Sequence, residues 1–246
     1  MVEVASPVEA AGVETMPRAS RPASGESVRV GGDLSVQVER RGEAFVVGTC
    51  EITTPLPAGY PDPTPPEAID VKAYPVVRRA MVTGSMTPDI GMNLAFFPLF
   101  QHIKKREIAM TSPVEMDYRG LEKGDTDGLD SWTMSFLYRT TELAPEGEYG
   151  NVVVADLPAM TVLSIGGKGG YRLSNVKTRL EVLRAWLLEH PEWVEAGVAR
   201  SLYYNGPEKR SADQWYEVQL PIKPAVDGDG GASNVLGGNA NAGSAR

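Results

Sequence analysis

IDVKAYPVVRRAMVTG, residues 69–84, and NVVVADLPAMTVLSIG, residues 151–166, decide how this chain is read. Both are rich in valine and alternate in places, the pattern of strands that half-bury a sheet. Each leads into a helix and then two more strands. After the first come a helix at about 97–105, with Pro98 in its first turn, and strands at 107–118 and 131–139. After the second come a helix at 173–190 and strands at 200–204 and 214–222. Leu173, Val176, Leu180, Leu183 and Leu187 form one apolar stripe on that helix. Ser174 or Asn175 is the candidate cap, and Pro191 ends it.

The same order therefore occurs twice. Pro75 and Pro158 stand 83 residues apart, as do Trp132 and Trp215. Pro113 and Pro207 stand 94 apart, the excess falling in the longer second helix and its exit loop. A half of this kind cannot cover its own sheet face. Joined, the halves predict an α+β fold: one curved antiparallel sheet, two β-α-β-β repeats, and both helices on one side. A ligand would sit on the concave side or between helix and sheet.

This domain is expected to span residues 67–224. Residues 28–66 read as an edge hairpin, LSVQVER and EAFVVG around Arg41-Gly42, followed by a linker with six prolines at 55–66. Residues 1–27 show no period, and residues 225–246 carry six glycines; both read as disordered. RGLEKGDTDG, residues 119–128, reads as a turn-rich charged loop.

Composition narrows the function. The 246 residues carry 32 acidic and 24 basic side chains, a net charge of −8. That balance argues against a nucleic-acid partner, which requires a basic face. A single cysteine, Cys50, allows no disulfide within the chain and no cysteine-clustered metal site. No apolar run reaches the roughly 18 residues of a membrane helix. The start of the chain lacks a charged segment followed by an apolar one, so a cytoplasmic location is the default expectation. The partner expected is a small molecule bound by a monomer, with neither nucleic acid nor membrane involved.

FPLFQHIKKREIAMTSPVEM, residues 97–116, and above all its IAMTSPV core, resembles the signature of the SOUL haem-binding proteins. IDVKAYPVVRRAMV resembles that family's opening strand, and LYYNGP and WYEVQLPI its closing strands. The resemblance covers residues 69–222 and implies a distorted antiparallel barrel of two β-α-β-β repeats that binds haem or another tetrapyrrole. The same fold is similar to gyrase-inhibitor-like ligand-binding domains, including effector domains of multidrug-responsive regulators. No helix-turn-helix is visible on this chain. SMTPDIGMNLAFF is short for the SOUL family, and YNGPEKRSADQWYEV is more charged than its pattern.

The candidate chemistry follows from both readings. Haem iron takes His, Met, Cys or Tyr. If Phe96, Phe100 and Ile103 mark the apolar face of the first helix, His102 points outward. His190 remains as an iron-ligand candidate, but its place at a helix end is the ordinary one for a histidine that interacts with the C-terminus. Neither is expected to be a metal ligand. Met110 and Met116 share a strand parity, and Met110 is a candidate pocket residue beside the ordinary reading of core filling. Tyr203 and Trp215 belong to an aromatic cluster suited to a flat ligand, and equally to any sheet. Arg79, in an Arg78-Arg79 pair, and Lys104-Lys105-Arg106 are candidates to face propionates, a solvated face being the alternative. Glu217 alternates with Tyr216 and Val218; periodicity alone places it, with Trp215 and Gln219, on a solvent face. The gyrase-inhibitor-like resemblance instead implies a groove carboxylate that meets cationic aromatics or serves as base in a small-molecule hydrolase. No G-x-S-x-G turn, HExxH or P-loop is present.

Overall fold

The computed structural model describes residues 21–121 and 129–225. Residues 1–20 and 226–246, and residues 122–128 of the charged loop, lie outside the described residues, so the irregular structure expected for them stays an expectation.

The chain opens with β1 (Ser27–Gly32), then β2 (Glu39–Arg41), β3 (Ala44–Val47) and β4 (Cys50–Ile52), the last three forming a small sheet of their own. The first half follows: β5 (Ala68–Tyr74), β6 (Val77–Gly84), α1 (Pro88–Lys105), β7 (Val114–Arg119) and β8 (Ser131–Leu137). After β9 (Gly147–Tyr149) the second half runs β10 (Val152–Leu157), β11 (Met160–Lys168), α2 (Leu173–Glu189), β12 (Trp193–Glu195), β13 (Ala199–Tyr203) and β14 (Trp215–Pro224). The large sheet has eleven strands, all antiparallel, in the order β1-β5-β11-β14-β13-β7-β8-β6-β10-β9, with β12 also on β14. It is a curved, open sheet rather than a closed barrel.

That order is a pseudo-twofold about the β7–β13 pair. Each half contributes a three-stranded unit, β7-β8-β6 or β13-β14-β11, and each lead strand crosses over: β5 pairs with β11, and β10 with β6. Residue 75 ends one lead strand and residue 158 the other, so the Pro75–Pro158 match is structural. The tryptophan match is one residue out. Gly84 faces Trp132 across β6–β8, and its counterpart Gly167 faces Tyr216 across β11–β14. Tyr216 therefore occupies the place of Trp132, and Trp215 points to the other side of the sheet, because one residue along a strand reverses the face. Pro113 precedes β7 whereas Pro207 follows β13, so that pair is not equivalent; antiparallel pairing of the two strands merely brings their ends together.

Helix α1 starts nine residues before the sequence reading placed it. Pro88 occupies its first turn, where a missing N–H costs nothing, and Pro98 is interior rather than initial. Gly91 is there for packing: a Cβ would overlap the Trp132 ring, which lies between α1 and the sheet. Helix α2 has neither Ser174 nor Asn175 as its cap. Its N-cap is Arg172 in extended conformation, and the Leu173 N–H is satisfied by Asp89 Oδ1 of α1 at 2.9 Å.

Residues 28–66 are built into the fold. β1 adds to the edge of β5, the β2–β3 hairpin turns at Gly42, and residues 53–66 cross the sheet face away from the helices. There Phe45, Cys50, Ile52 and Leu56 form a second apolar core with Tyr74, Val162, Leu202, Tyr204 and Trp215. The proline-rich stretch is thus a cover, not a spacer. It approaches closely at Gly166, where a Cβ would overlap the backbone of Thr64 and Pro65.

Gly91→Ala should force α1 from Trp132 and cost about 1–3 kcal/mol, the usual range for overpacking. Thermal unfolding of the variant measures this, and an unchanged Tm contradicts the contact.

Candidate functional site

The two faces of the sheet hold two different clusters. On the helix side, α1 meets the sheet at its start through Gly91 and Trp132, and near its end through Leu99, His102 and Ile103, all buried. Between these points a groove of about 500 Å³ opens beside the helix. Met92, Asn93, Phe96 and Phe100 form one wall; Val114, Met134 and Tyr203 belong to the sheet; Tyr171 and the loop Asn205–Glu208 form the other wall, with Met110, Thr111 and Ser112 at one end. Phe96 stacks on Phe100 at 6.0 Å and meets Phe136 edge-on at 5.0 Å. Across the groove Tyr171 stacks on Tyr203 at 4.2 Å.

The tyrosine hydroxyls around the groove are already engaged. Tyr171 donates to the Trp215 carbonyl at 3.1 Å and accepts from the Asn205 N–H at 2.8 Å. Tyr203 and Tyr118 share a hydrogen bond of 2.7 Å, and burial pushes the Tyr203 pKa up to about 12. Tyr204 donates away from the groove, to Glu217 Oε1 at 2.6 Å. Glu208 is the one carboxylate among the described lining residues, which include no Lys, Arg or His.

The opposite face carries charge. Glu217 and Lys72 are both fully buried and paired at 2.9 Å. Glu217 Oε1 also accepts from the Thr64 N–H at 2.7 Å, and Oε2 from Ser164 Oγ at 2.6 Å and Gln219 Nε2 at 2.7 Å. The chain of contacts continues across the sheet. Arg200 Nε donates to Gln219 at 2.8 Å and its Nη1 to Glu115 at 2.9 Å, and Arg79 Nη1 donates to Glu115 at 2.5 Å and Asp117 at 2.8 Å. Burial alone would raise the pKa of Glu217; the Lys72 ammonium and the donated hydrogen bonds outweigh it and hold the carboxyl below its ordinary range.

The expected site residues therefore separate. Tyr203 and Met110 line the groove. Trp215, Glu217 and Arg79 lie on the other face: Trp215 donates from Nε1 to the Thr64 carbonyl at 2.8 Å, and Arg79 serves the ion network rather than a propionate. Glu217 is on neither a solvent face nor a groove wall, because residues 53–66 cover what alternation left open. Arg78 is paired with Asp156 at 2.7 Å. His102 is the clearest correction: it is only 5% exposed, with Nε2 at 2.9 Å from the Tyr138 hydroxyl, and burial followed by the Arg106 charge lowers its pKa. The apolar face had been misphased, since α1 is apolar almost all round and Phe96 and Phe100 face the groove, not the core. His190 Nδ1 lies 2.8 Å from the Trp186 carbonyl, its ring stacked on Trp186 at 3.6 Å, at the helix end as expected. Phe96 and Phe100 were read from sequence as the apolar face of the helix and not as groove residues, and Tyr171 and the buried Lys72 and Arg200 were not singled out. The spacing of Phe96 and Phe100 was the available signal.

No family model and no curated protein matches the chain. Solved structures do resemble it. The C-terminal domain of EcmrR is similar at 17% identity and TM-score 0.53, over 64% of this chain and 98% of that one. EcmrR in its DNA complex, EcmrR-RPo, is similar at 17% identity and TM-score 0.51, over 64% of this chain and 57% of that one. A hydrolase from Listeria innocua is looser, at 14% identity and TM-score 0.48, over 66% and 94%. These identities establish a shared fold and no more; the SOUL resemblance has no family match behind it. They also correct one expectation. A domain of this fold belongs to a DNA-bound protein in the EcmrR complex, so the expectation that no nucleic acid is involved does not stand. No helix among the described residues is long and apolar enough to cross a membrane.

Glu217→Gln leaves the Lys72 charge buried without its counterion and should cost about 3–5 kcal/mol at neutral pH. Because the folded pKa of Glu217 is lowered, its contribution is complete above the ordinary glutamate value of about 4.3 and is lost as pH falls through the lower folded value. Denaturant unfolding across pH should show the two proteins converging on acidification. Equal stability at neutral pH contradicts the assignment.

Proposed function

We propose that the chain is a binding protein for a flat, largely apolar small molecule held in the groove beside α1. The observation that carries this reading is the pair of aromatic stacks, Phe96–Phe100 and Tyr171–Tyr203, on the two sides of a groove of about 500 Å³. The volume is in the usual range for small-molecule sites, and apolar walls with few polar groups suit a planar ring system. Asn93 and the side-chain carbonyl of Gln214 supply polar groups that would orient it, whereas the side chains of Ser112 and Asn205 are engaged by backbone groups.

Haem and other tetrapyrroles belong to this class by shape, but the lining fits them only in part. Their propionates would meet Glu208 and no cation among the described lining residues. The tyrosine hydroxyls already have partners, which leaves the thioethers of Met92, Met110 and Met134 as available soft donors. A neutral or cationic planar molecule fits better. Hydrolysis with Glu217 as base has less support: the carboxylate is absent from the groove wall, each oxygen accepts three hydrogen bonds, and its lowered pKa makes it a poor proton acceptor.

Fluorescence titration with neutral and cationic polycyclic dyes and with haemin tests the reading. Phe100→Ala should weaken the neutral and cationic dyes by about tenfold, the scale of losing one stacked ring and its buried area. Haemin should bind more weakly than either dye class. Affinities unchanged by Phe100→Ala would remove the groove as the site.

A further inference from the structure

The outer face of α1 is a second surface that the groove does not use. Ile90, Leu94 and Phe97 are 59%, 63% and 65% exposed, and Met86, just before the helix, is 54% exposed. Spacings of four and three put the helical three on one line, opposite the buried Gly91, Ala95, Leu99 and Ile103. Continued toward the C-terminus, the same line reaches Lys104 and Lys105, both exposed, which make no ion pair among the described residues. The acidic residue of the helix, Asp89, is turned aside to accept the Leu173 N–H at the start of α2.

We propose that this face docks on an anionic lipid surface. Its three large side chains would enter the boundary between headgroups and acyl chains, and Lys104 and Lys105 would meet lipid phosphates and carboxylates. A twofold contact of this face with itself would set lysines against lysines, whereas an anionic lipid surface supplies their counter-charge. The chain as a whole is acidic at −8, whereas this face ends in Lys104, Lys105 and Arg106. At physiological ionic strength the screening length is about 8 Å, so Lys104, Lys105 and Arg106, three cations beside the single exposed acid Glu107, outweigh acidic residues farther away. Docking would be reversible and salt-sensitive, since one short stripe buries far less than a membrane-spanning helix. The inference does not depend on what the groove binds, because none of these residues lines it.

Vesicle flotation with the full chain tests it. The protein should float with mixed phosphatidylserine–phosphatidylcholine vesicles at low salt and be released at high salt. It should bind pure phosphatidylcholine vesicles more weakly. Lys104→Gln and Lys105→Gln should each weaken binding about fivefold, equivalent to about 1 kcal/mol per charge near the surface. Leu94→Glu with Phe97→Glu should weaken it by at least about tenfold through lost apolar burial. These positions are exposed, so circular dichroism should show intact folds. Absence of flotation with mixed vesicles at low salt overturns the proposal, as does flotation that all the variants retain. A concentration-dependent dimer dissolved by Phe97→Glu, without vesicle binding, would overturn it in favour of a second copy.

Discussion

The buried pair of Lys72 and Glu217 is the constraint around which the rest of the molecule is arranged. Removing two charges from water costs several kcal/mol for each ion, and their attraction offsets that only where every remaining hydrogen-bonding position is filled. Around Glu217 the filling groups come from far apart in the chain: Thr64 from the covering segment, Ser164 from β11, Tyr204 from the loop after β13, and Gln219 from β14. The network then runs through Arg200 and Glu115 to Arg79 and Asp117, so that Lys72, Arg200 and Arg79 are matched by Glu217, Glu115 and Asp117. Strands at both sides of the sheet are tied by one line of charge. A slip of one residue in any of them would carry an ion into the aromatic core under the helices, which makes the network a determinant of register.

This arrangement also explains the N-terminal segment. A sheet face carrying six charged groups and the rings of Tyr74 and Trp215 has to be either wet or covered. Residues 53–66 cover it with a chain poor in N–H donors. Prolines bring no N–H donors of their own, and among the donors that remain the Thr64 N–H reaches Glu217 and the Ala58 N–H the Arg139 carbonyl at 2.9 Å. The helix face is left apolar as a consequence, and there the spacing between α1 and the sheet, rather than charge, shapes the groove.

The fold was legible in the sequence because duplication repeats its signals. Two valine-rich strands broken at Pro75 and Pro158, and the leucine stripe of α2, are enough to order the elements. What was lost depended on phase. Trp132 and Trp215 align by eye, yet a single residue of offset puts them on opposite faces. In α1 the large apolar side chains are spread around the helix, so periodicity selects no unique core face, and an outward His102 follows from it while the structure buries that residue. Alternation in β14 correctly grouped Glu217 with Trp215 and Gln219. It could not show that the face they share is covered, because the cover lies some 150 residues away in sequence. Of the candidate site residues, Tyr203 and Met110 were accessible to local reasoning, since a strand end and the loop beside it place them. The partners that neutralise Glu217 were not, since each pairing is non-local.

The crossing of β5 and β10 between the halves has a thermodynamic corollary. A duplicated chain ordinarily could divide into two parts of separate stability, one melting while the other persists. Here each part holds the outermost ladder of the other, β5 on β11 and β10 on β6. Loss of either half strips a strand from its neighbour and exposes a fresh, unpaired edge on it. Partial unfolding therefore leaves each half with a bare edge, and the duplicated sheet is expected to melt as one cooperative unit despite its internal symmetry.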